Sequence, residues 1–368
     1  MAYLNGKEIL FSPKIHIDPA TEEKLQAARQ EGRLAEQSDF WDMFQHNGKR
    51  KTYLNAFRGW SAEYIRPKYK AVVTDINGCG YVFGDCTNLK KVEAQYFDFS
   101  QKPTGTNNNT GYLYTFDNCA TLEEIEDIGL VPQFIYSRTF GYCYKLKTIA
   151  KMGVDENTQF ANAFIACTQL ENLTIEGTIG KNGFNLKDSR VLSKASITSV
   201  INALSEEPEV NSPTITLSKT AVENAFPLQD CLTNATYSDS ISEGGLTITN
   251  NGDGSFTING MYDGGKNGHQ DYFFTMAQVN IPIVRGIYAL SLEGRNDAYI
   301  AGVYTLGGID SGISGSELVT PLDEPTEIRV VIKPNVQIDN LVIRPKLVYD
   351  EWATLIHHIG HFWTISLV

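Results

Sequence analysis

The chain has 368 residues, 42% hydrophobic and 20% charged, the texture of a folded protein long enough for two or three domains. A formal net charge of -12 at pH 7 sets a repulsive mean field against nucleic acid and argues against sequence-independent phosphate binding. No stretch approaches the roughly 18 consecutive apolar residues that span a bilayer, and six cysteines over this length do not suggest a disulfide framework.

Residues 1–70 read as an N-terminal attachment region. Its start, "MAYLNGKEILFSPKIHID", lacks the basic-then-apolar order of a signal peptide, so export by the usual route is not expected. Pro19 to about Phe44 reads as a charged helix with Leu25, Ala28, Leu34, Phe40, Trp41, Met43 and Phe44 as its apolar positions. Three clean heptads are absent, so a self-associating coiled coil and a helix packed on its own chain both stay open.

From residue 71 the chain repeats itself. Phe-x-x-Cys-x-x-Leu-x-x-aliphatic occurs at Phe83, Cys86, Leu89, Val92; at Phe116, Cys119, Leu122, Ile125; at Phe140, Cys143, Leu146, Ile149; and at Phe164, Cys167, Leu170, Leu173. The last three copies step by 24 residues, and the polar stretch Gln101 to Asn109 accounts for the longer first gap of 33. A period in the twenties is the mark of a solenoid whose units bury their apolar faces only against their neighbours. Each copy carries one cysteine with no second Cys or His beside it, so the cysteines read as small core residues rather than zinc or redox ligands.

After the fourth copy, Ile197, Val200, Ile201 and Leu204 fall on one face of a helix that Ser193 or Ser196 starts. "TITLS" at Thr214 to Ser218 alternates like a strand, and "SKTAVENAF" opens a second helix with Thr220 and Glu223 as its capping box. That helix stops short at Pro227. The last nineteen residues supply a helical stretch (Trp352, Leu355, Ile356, Ile359) and a strand, "WTISLV", that echoes "TITLS". One helix–strand unit is thus expected to be split: a discontinuous repeat domain at 71–226 and 350–368, with residues 227–349 inserted between its parts. The insert opens with "LTITNNGDGSFTING", a hairpin signal, and continues as alternating runs broken by Gly, Pro, Asn and Asp, which predicts an antiparallel β-sandwich or jelly roll.

The repeat motif resembles the BspA-like leucine-rich repeats of bacterial surface proteins and of phage tail proteins. "LNGKEILFS" and "FWDMFQHNGKRKTYLNAFRGW" resemble the head region of the phage type, and "WTISL" resembles its closing strand. The insert, through its hairpin opening and its "NLVIRPKLV" close, resembles the carbohydrate-binding-module-like sandwiches of such proteins. Together these imply a multidomain, mainly β protein with some α: a leucine-rich-repeat-like solenoid, an inserted jelly-roll-like sandwich and a short helical N-terminal region. They also imply a virion tail component that binds a host cell-surface glycan, contacts other tail or baseplate proteins, and forms a homo-oligomer, a trimer by analogy with fibres. A bacterial adhesin on the same repeats and a glycan-degrading tail enzyme stand as alternatives.

No catalytic constellation is visible: there is no Gly-x-Ser-x-Gly elbow, Cys79 and Cys231 have no His near them in sequence, and Glu123-Glu124 and Glu206-Glu207 fall in polar turns. An enzyme is therefore not expected. "GGKNGH" lacks the Lys-Ser/Thr ending of a phosphate loop. His357, His358 and His361 lack a carboxylate at ligand spacing, and no metal site is expected there. Calcium at Asp253 is a weaker reading than a tight turn. Sugars need an aromatic face beside polar groups, and the candidate patch is Tyr262, Asp263, Asn267, His269, Asp271 and Tyr272, joined by Tyr299 and Tyr304.

Overall fold

The computed structural model describes residues 57–66, 70–72, 80–101, 111–132, 135–180, 182–206, 213–264, 270–281, 284–309, 315–360 and 362–368, together with the backbone of 2–4 and 7–9. The expected charged helix at Pro19–Phe44 lies outside these residues. The protein is mainly β, with three short helices among the described residues, and it divides into two compact units, Met1–Ala225 with Ile356–Val368, and Phe226–Leu355.

In the first unit β1 (Ala2–Leu4) and β2 (Lys7–Ile9) pair antiparallel, and β3 (Ala71–Val72) pairs with β5 (Phe97–Asp98) in parallel. The copies of the repeat lie on one another. The aliphatic residue of each enters a short parallel strand: β4 (Lys91–Val92), β6 (Glu124–Ile125), β7 (Thr148–Val154) and β8 (Asn172–Gly177), with Val92, Ile125, Ile149 and Leu173 in register. Every Phe, Cys and Leu of the four copies is at most 1% exposed. The phenylalanine rings form one column, Phe83 on Phe116 at 5.2 Å, Phe116 on Phe140 at 5.6 Å and Phe140 on Phe164 at 5.1 Å.

Phe57 extends that column, stacked on Phe83 at 5.4 Å and 11°. Its N–H bonds the Val82 carbonyl, and Tyr64 bridges Lys91 in parallel. The border expected at residue 70 thus differs from the structure, in which Phe57–Arg66 is a further rung. Trp60 takes the cysteine position of this rung, which hides it from a search for the motif.

Each of the four motif copies holds two residues in the left-handed region, two before and two after the phenylalanine: Tyr81 and Asp85, Tyr114 and Asn118, Arg138 and Tyr142, Asn162 and Ala166. Such backbone costs roughly 1–2 kcal/mol per non-glycine residue, so something must hold it. In the first three copies the N–H groups at these positions and of the phenylalanine donate to the next rung, as Tyr114 does to Ser137, Phe116 to Thr139 and Asn118 to Gly141, at 2.8–3.0 Å. At the last rung, where no further copy follows, the Asp188 carboxylate accepts from Ala166 N–H at 2.9 Å.

The cysteines do more than fill space. The thiol of each donates to the carbonyl of the preceding rung's phenylalanine: Cys86 to Phe57 (2.9 Å), Cys119 to Phe83 (3.0 Å), Cys143 to Phe116 (3.1 Å) and Cys167 to Phe140 (2.9 Å). Those carbonyls already accept the N–H three residues on in their own rung, so the thiol takes the second lone pair. Burial pushes the thiols of Cys119, Cys143 and Cys167 well above their ordinary range.

The repeat stack closes with β9 (Phe184–Leu186), α1 (Lys194–Asn202), β10 (Thr214–Leu217), α2 (Lys219–Ala225) and, from the end of the chain, β22 (Thr364–Leu367). Phe184 ends the ring column edge-on against Phe164. Ser193 caps α1, and Ile197, Val200 and Ile201 form its buried face; Leu204 is buried just beyond the helix end. Ser196 serves differently from the cap it resembles. Its hydroxyl accepts Leu173 N–H and donates to Glu171 carbonyl, both at 2.8 Å, while Ser199 accepts Ile175 N–H, so α1 satisfies the free edge of β8. The capping box expected at Thr220 and Glu223 does not form. Ser218 is the cap, its Oγ taking Ala221 N–H at 3.4 Å, and Glu223 faces Lys219 instead. β10 lies between β9 and β22, all parallel, with Thr214–Leu217 opposite Thr364–Leu367 residue for residue.

The second unit contains β11 (Gln229–Asp230), β12 (Thr236–Tyr237), β13 (Ile241–Glu243), β14 (Leu246–Asn250), β15 (Phe256–Gly260), β16 (Tyr272–Val279), β17 (Gly286–Glu293), β18 (Ile300–Leu306), β19 (Gly315–Val319), β20 (Thr326–Ile332) and β21 (Ile338–Asp350). One sheet runs β13-β14-β15-β21-β17-β19 with β11 also on β21, and the other runs β12-β16-β20-β18; every pair is antiparallel. Both sheets feed one core, with Ile248, Phe256 and Ile258 from the first and Met276, Ile328 and Val330 from the second. Gly244 and Gly245, both at positive φ, make a two-residue turn between β13 and β14, a hairpin the sequence reading passed over.

The second unit ends later than the expected border of 349. α3 (Glu351–Ile356) starts on an Asp350 carboxylate that accepts Ala353 N–H, and Thr354 Oγ1 accepts Ile287 N–H at 2.8 Å. Trp352 packs its ring 5.5 Å from Phe226. These contacts hold most of α3 to the second unit rather than to the repeat domain. Ile359, placed by its spacing on this helix, is buried in the turn after it.

Candidate functional site

The described residues of the expected sugar patch do not share one surface. Tyr262, Tyr272 and Tyr299 pack against the core of the second unit. The Tyr262 and Tyr272 rings lie 5.1 Å apart, and the Tyr272 hydroxyl donates to Glu243 Oε2 at 3.1 Å. Burial and then that carboxylate push the Tyr272 phenol up to about 12. Asp263 is exposed and Asp271 half-buried, while Asn267 and His269 lie outside the described residues. Tyr304 stands on the opposite face of the sheet, away from the core. The reason is parity: side chains alternate across a strand, and Tyr272 shares the inward side of β16 with the buried Phe274.

The outward side of the β12-β16-β20-β18 sheet carries a different set of residues. The register places Phe273, Val331 and Gly302 in one row across β16, β20 and β18, then Thr275, Arg329 and Tyr304, then Gln278, Glu327 and Leu306. Phe273 is 55% exposed, and its ring meets the Tyr304 ring nearly perpendicularly, 82°, at a centroid distance of 6.3 Å. At the far end of the row a Cβ on Gly302 would meet nothing within 4 Å, so the floor beside Val331 is open there.

Polar groups sit beside the two rings. Arg329 Nε and Nη2 both donate to Glu327 Oε2, at 2.9 and 2.6 Å, Gln278 Nε2 donates to Glu327 Oε1 at 3.0 Å, and Thr275 Oγ1 reaches Oε2 at 3.4 Å. The Arg329 bond is the main reason the Glu327 carboxyl titrates below its ordinary range, and the guanidinium also engages Tyr304. The outward side of the other sheet differs: Thr247 with Asn259 and Thr249 with Thr257 face each other there, and exposed Val342 is opposite Thr257.

Phe273, Gln278, Glu327, Arg329 and Gly302 were not in the sequence-derived set. The one local signal was Phe273 itself, an apolar ring at the solvent parity of "DYFFTMAQ"; its neighbours come from other strands and are brought close only by register. The calcium reading of Asp253 meets an occupied carboxylate: Oδ1 accepts Ser255 N–H and Oγ–H, at 2.9 and 2.6 Å, and Oδ2 pairs with Arg344 at 2.6 Å. Among the described residues no three His, Cys, Asp or Glu side chains are grouped as metal ligands. No family model, curated protein or solved structure matches the chain.

Proposed function

We propose that this chain is a phage tail-associated structural and receptor-binding protein that adheres to the host through a cell-surface glycan. In this reading the repeat domain is a leucine-rich-repeat-like solenoid that serves as a rigid stalk. The second unit is a jelly-roll-like sandwich that displays the binding face, and the N-terminal region joins other tail or baseplate proteins. Several copies in a homo-oligomer, a trimer by analogy with fibres, convert weak single-site contacts into firm attachment.

The observation that carries the adhesion reading is the exposed Phe273 ring, set at right angles to Tyr304 beside a cluster of hydrogen-bonding side chains. That combination supplies what a sugar needs, an apolar face for its C–H groups and directional polar partners for its hydroxyls. The tail setting is supported by the resemblance of the repeat motif and of the closing "WTISL" strand. Staining of candidate gut bacteria with the labelled full-length chain, competed by defined sugars, tests adhesion. Mass spectrometry of purified virions tests the setting, and recovery of the chain only from bacterial membranes would favour the adhesin alternative.

A further inference from the structure

We infer that the outward face of the β12-β16-β20-β18 sheet takes an uncharged saccharide, seated against the Phe273–Tyr304 ring pair and over the open position at Gly302. This rests on the adhesion reading above and adds the class of glycan and the residue that admits it.

Charge balance is the first argument. Arg329 and Glu327 are the only charged residues in the three rows across β16, β20 and β18, where they neutralise each other with two donors on one carboxylate oxygen; Lys333, at the same parity just past β20, has its Nζ on the Asp297 carbonyl at 2.6 Å. An acidic sugar would need a cation that is not already committed, and a cationic one would need the carboxylate. A neutral polyol needs neither. It can use what these contacts leave over: the guanidinium N–H groups that face neither Glu327 nor Tyr304, the Gln278 carbonyl oxygen, and the lone pairs of the Thr275 and Tyr304 hydroxyls. The chain's net charge of -12 further disfavours a polyanion at long range.

Shape is the second. Two rings at 82° make a corner, and Val331, 9% exposed, is its floor. Phe273 bounds the row at one end. At the other, Gly302 carries no side chain and the space above its Cα is open, in a backbone conformation outside the positive-φ region, so glycine is not demanded there by the turn of the chain. A protein partner is a poor match, because a stable protein interface takes about 800 Å² per partner and this apolar corner is interrupted by charges within one row.

The test uses the full chain on an array of neutral and acidic glycans, followed by titration of the strongest neutral ligand. Phe273→Ala is expected to weaken that ligand about tenfold or more, and Gly302→Leu to abolish binding by filling the open space; both sites are open, so the unfolding midpoint of each variant should match wild type. Thr257→Ala, on the other sheet, should leave affinity unchanged. Glu327→Gln, which leaves Arg329 uncompensated, is expected to gain binding to acidic members of the array. Undiminished affinity in both Phe273→Ala and Gly302→Leu would overturn the site while leaving glycan adhesion standing. Preference of the wild type for acidic glycans would overturn the charge argument. Wild type that binds no glycan at all, on the array or on cells, would remove the adhesion reading itself and this inference with it.

Discussion

Cys143 offers the sharpest test of why the repeat writes a cysteine. If the residue is only a small hydrophobe, then Ser, which puts a hydroxyl where the sulfur was, must be worse than Ala, because an unpartnered buried hydroxyl costs roughly 1–3 kcal/mol. The structure says the position has a partner: Cys143 Sγ lies 3.1 Å from the Phe116 carbonyl oxygen, and that oxygen keeps the Cys119 N–H on its other lone pair. Cys143→Ala removes the sulfur's packing, worth about one buried methylene or roughly 0.8 kcal/mol, plus a cavity term. It also removes one donor from a carbonyl that still has another, a further loss of about 0.5–1 kcal/mol. The sum is about 1–2 kcal/mol. Cys143→Ser loses some packing but keeps a donor aimed at the same oxygen, so it should destabilise no more than Ala does. Urea unfolding followed by tryptophan fluorescence reads this, since Trp60 and Trp363 are each 3% exposed in the first unit. The relevant quantity is the shift in midpoint at constant m. A serine variant about 1 kcal/mol or more below alanine would show that the donor contributes nothing and refute the reasoning.

Three further outcomes follow from the same packing. In the native protein a thiol reagent should modify at most Cys231 and Cys79 of the six cysteines, and denaturant should release the four buried repeat thiols, as counted by mass spectrometry. Stability should fall at alkaline pH. Burial raises the folded-state pKa of Cys119, Cys143 and Cys167, so the stabilisation is complete below the unfolded thiol value near 8.5 and is lost above it, by up to about 1.4 kcal/mol per pH unit for each thiol; Cys143→Ser should flatten that slope in unfolding measured from pH 8 to 10. Ser196→Ala strips the partner from Leu173 N–H, which is buried, and should cost about 1–3 kcal/mol with faster hydrogen exchange at that amide; unchanged exchange there would contradict the edge-capping role.

Much of the architecture is legible in local spacing. A period of 24 residues, with Phe, Cys, Leu and an aliphatic residue three apart, determines which side chains are buried in each rung, because every rung repeats one local conformation against the same kind of neighbour. The alternation in "LTIT" and "FTING" likewise marks Leu246, Ile248, Phe256 and Ile258 as core, and the echo of "TITL" by "TISL" matches two strands that pair in register although 150 residues separate them. What spacing does not carry is the identity of partners across the chain. Phe57 joins the ring column although its rung has Trp60 in place of cysteine, and Ser196 bonds a strand edge rather than a helix start. Thr354 ties α3 to the second unit. The patch shows the limit most plainly. Tyr262, Tyr272 and Tyr304 are all aromatic residues near polar ones in sequence, but strand parity turns Tyr272 to the core side and Tyr304 to the surface, where it meets Phe273 and Arg329, while Tyr262, in the loop after β15, packs on Tyr272. Composition names the residues able to contact a sugar; only the pleat and the register of β16, β20 and β18 decide which of them share a face.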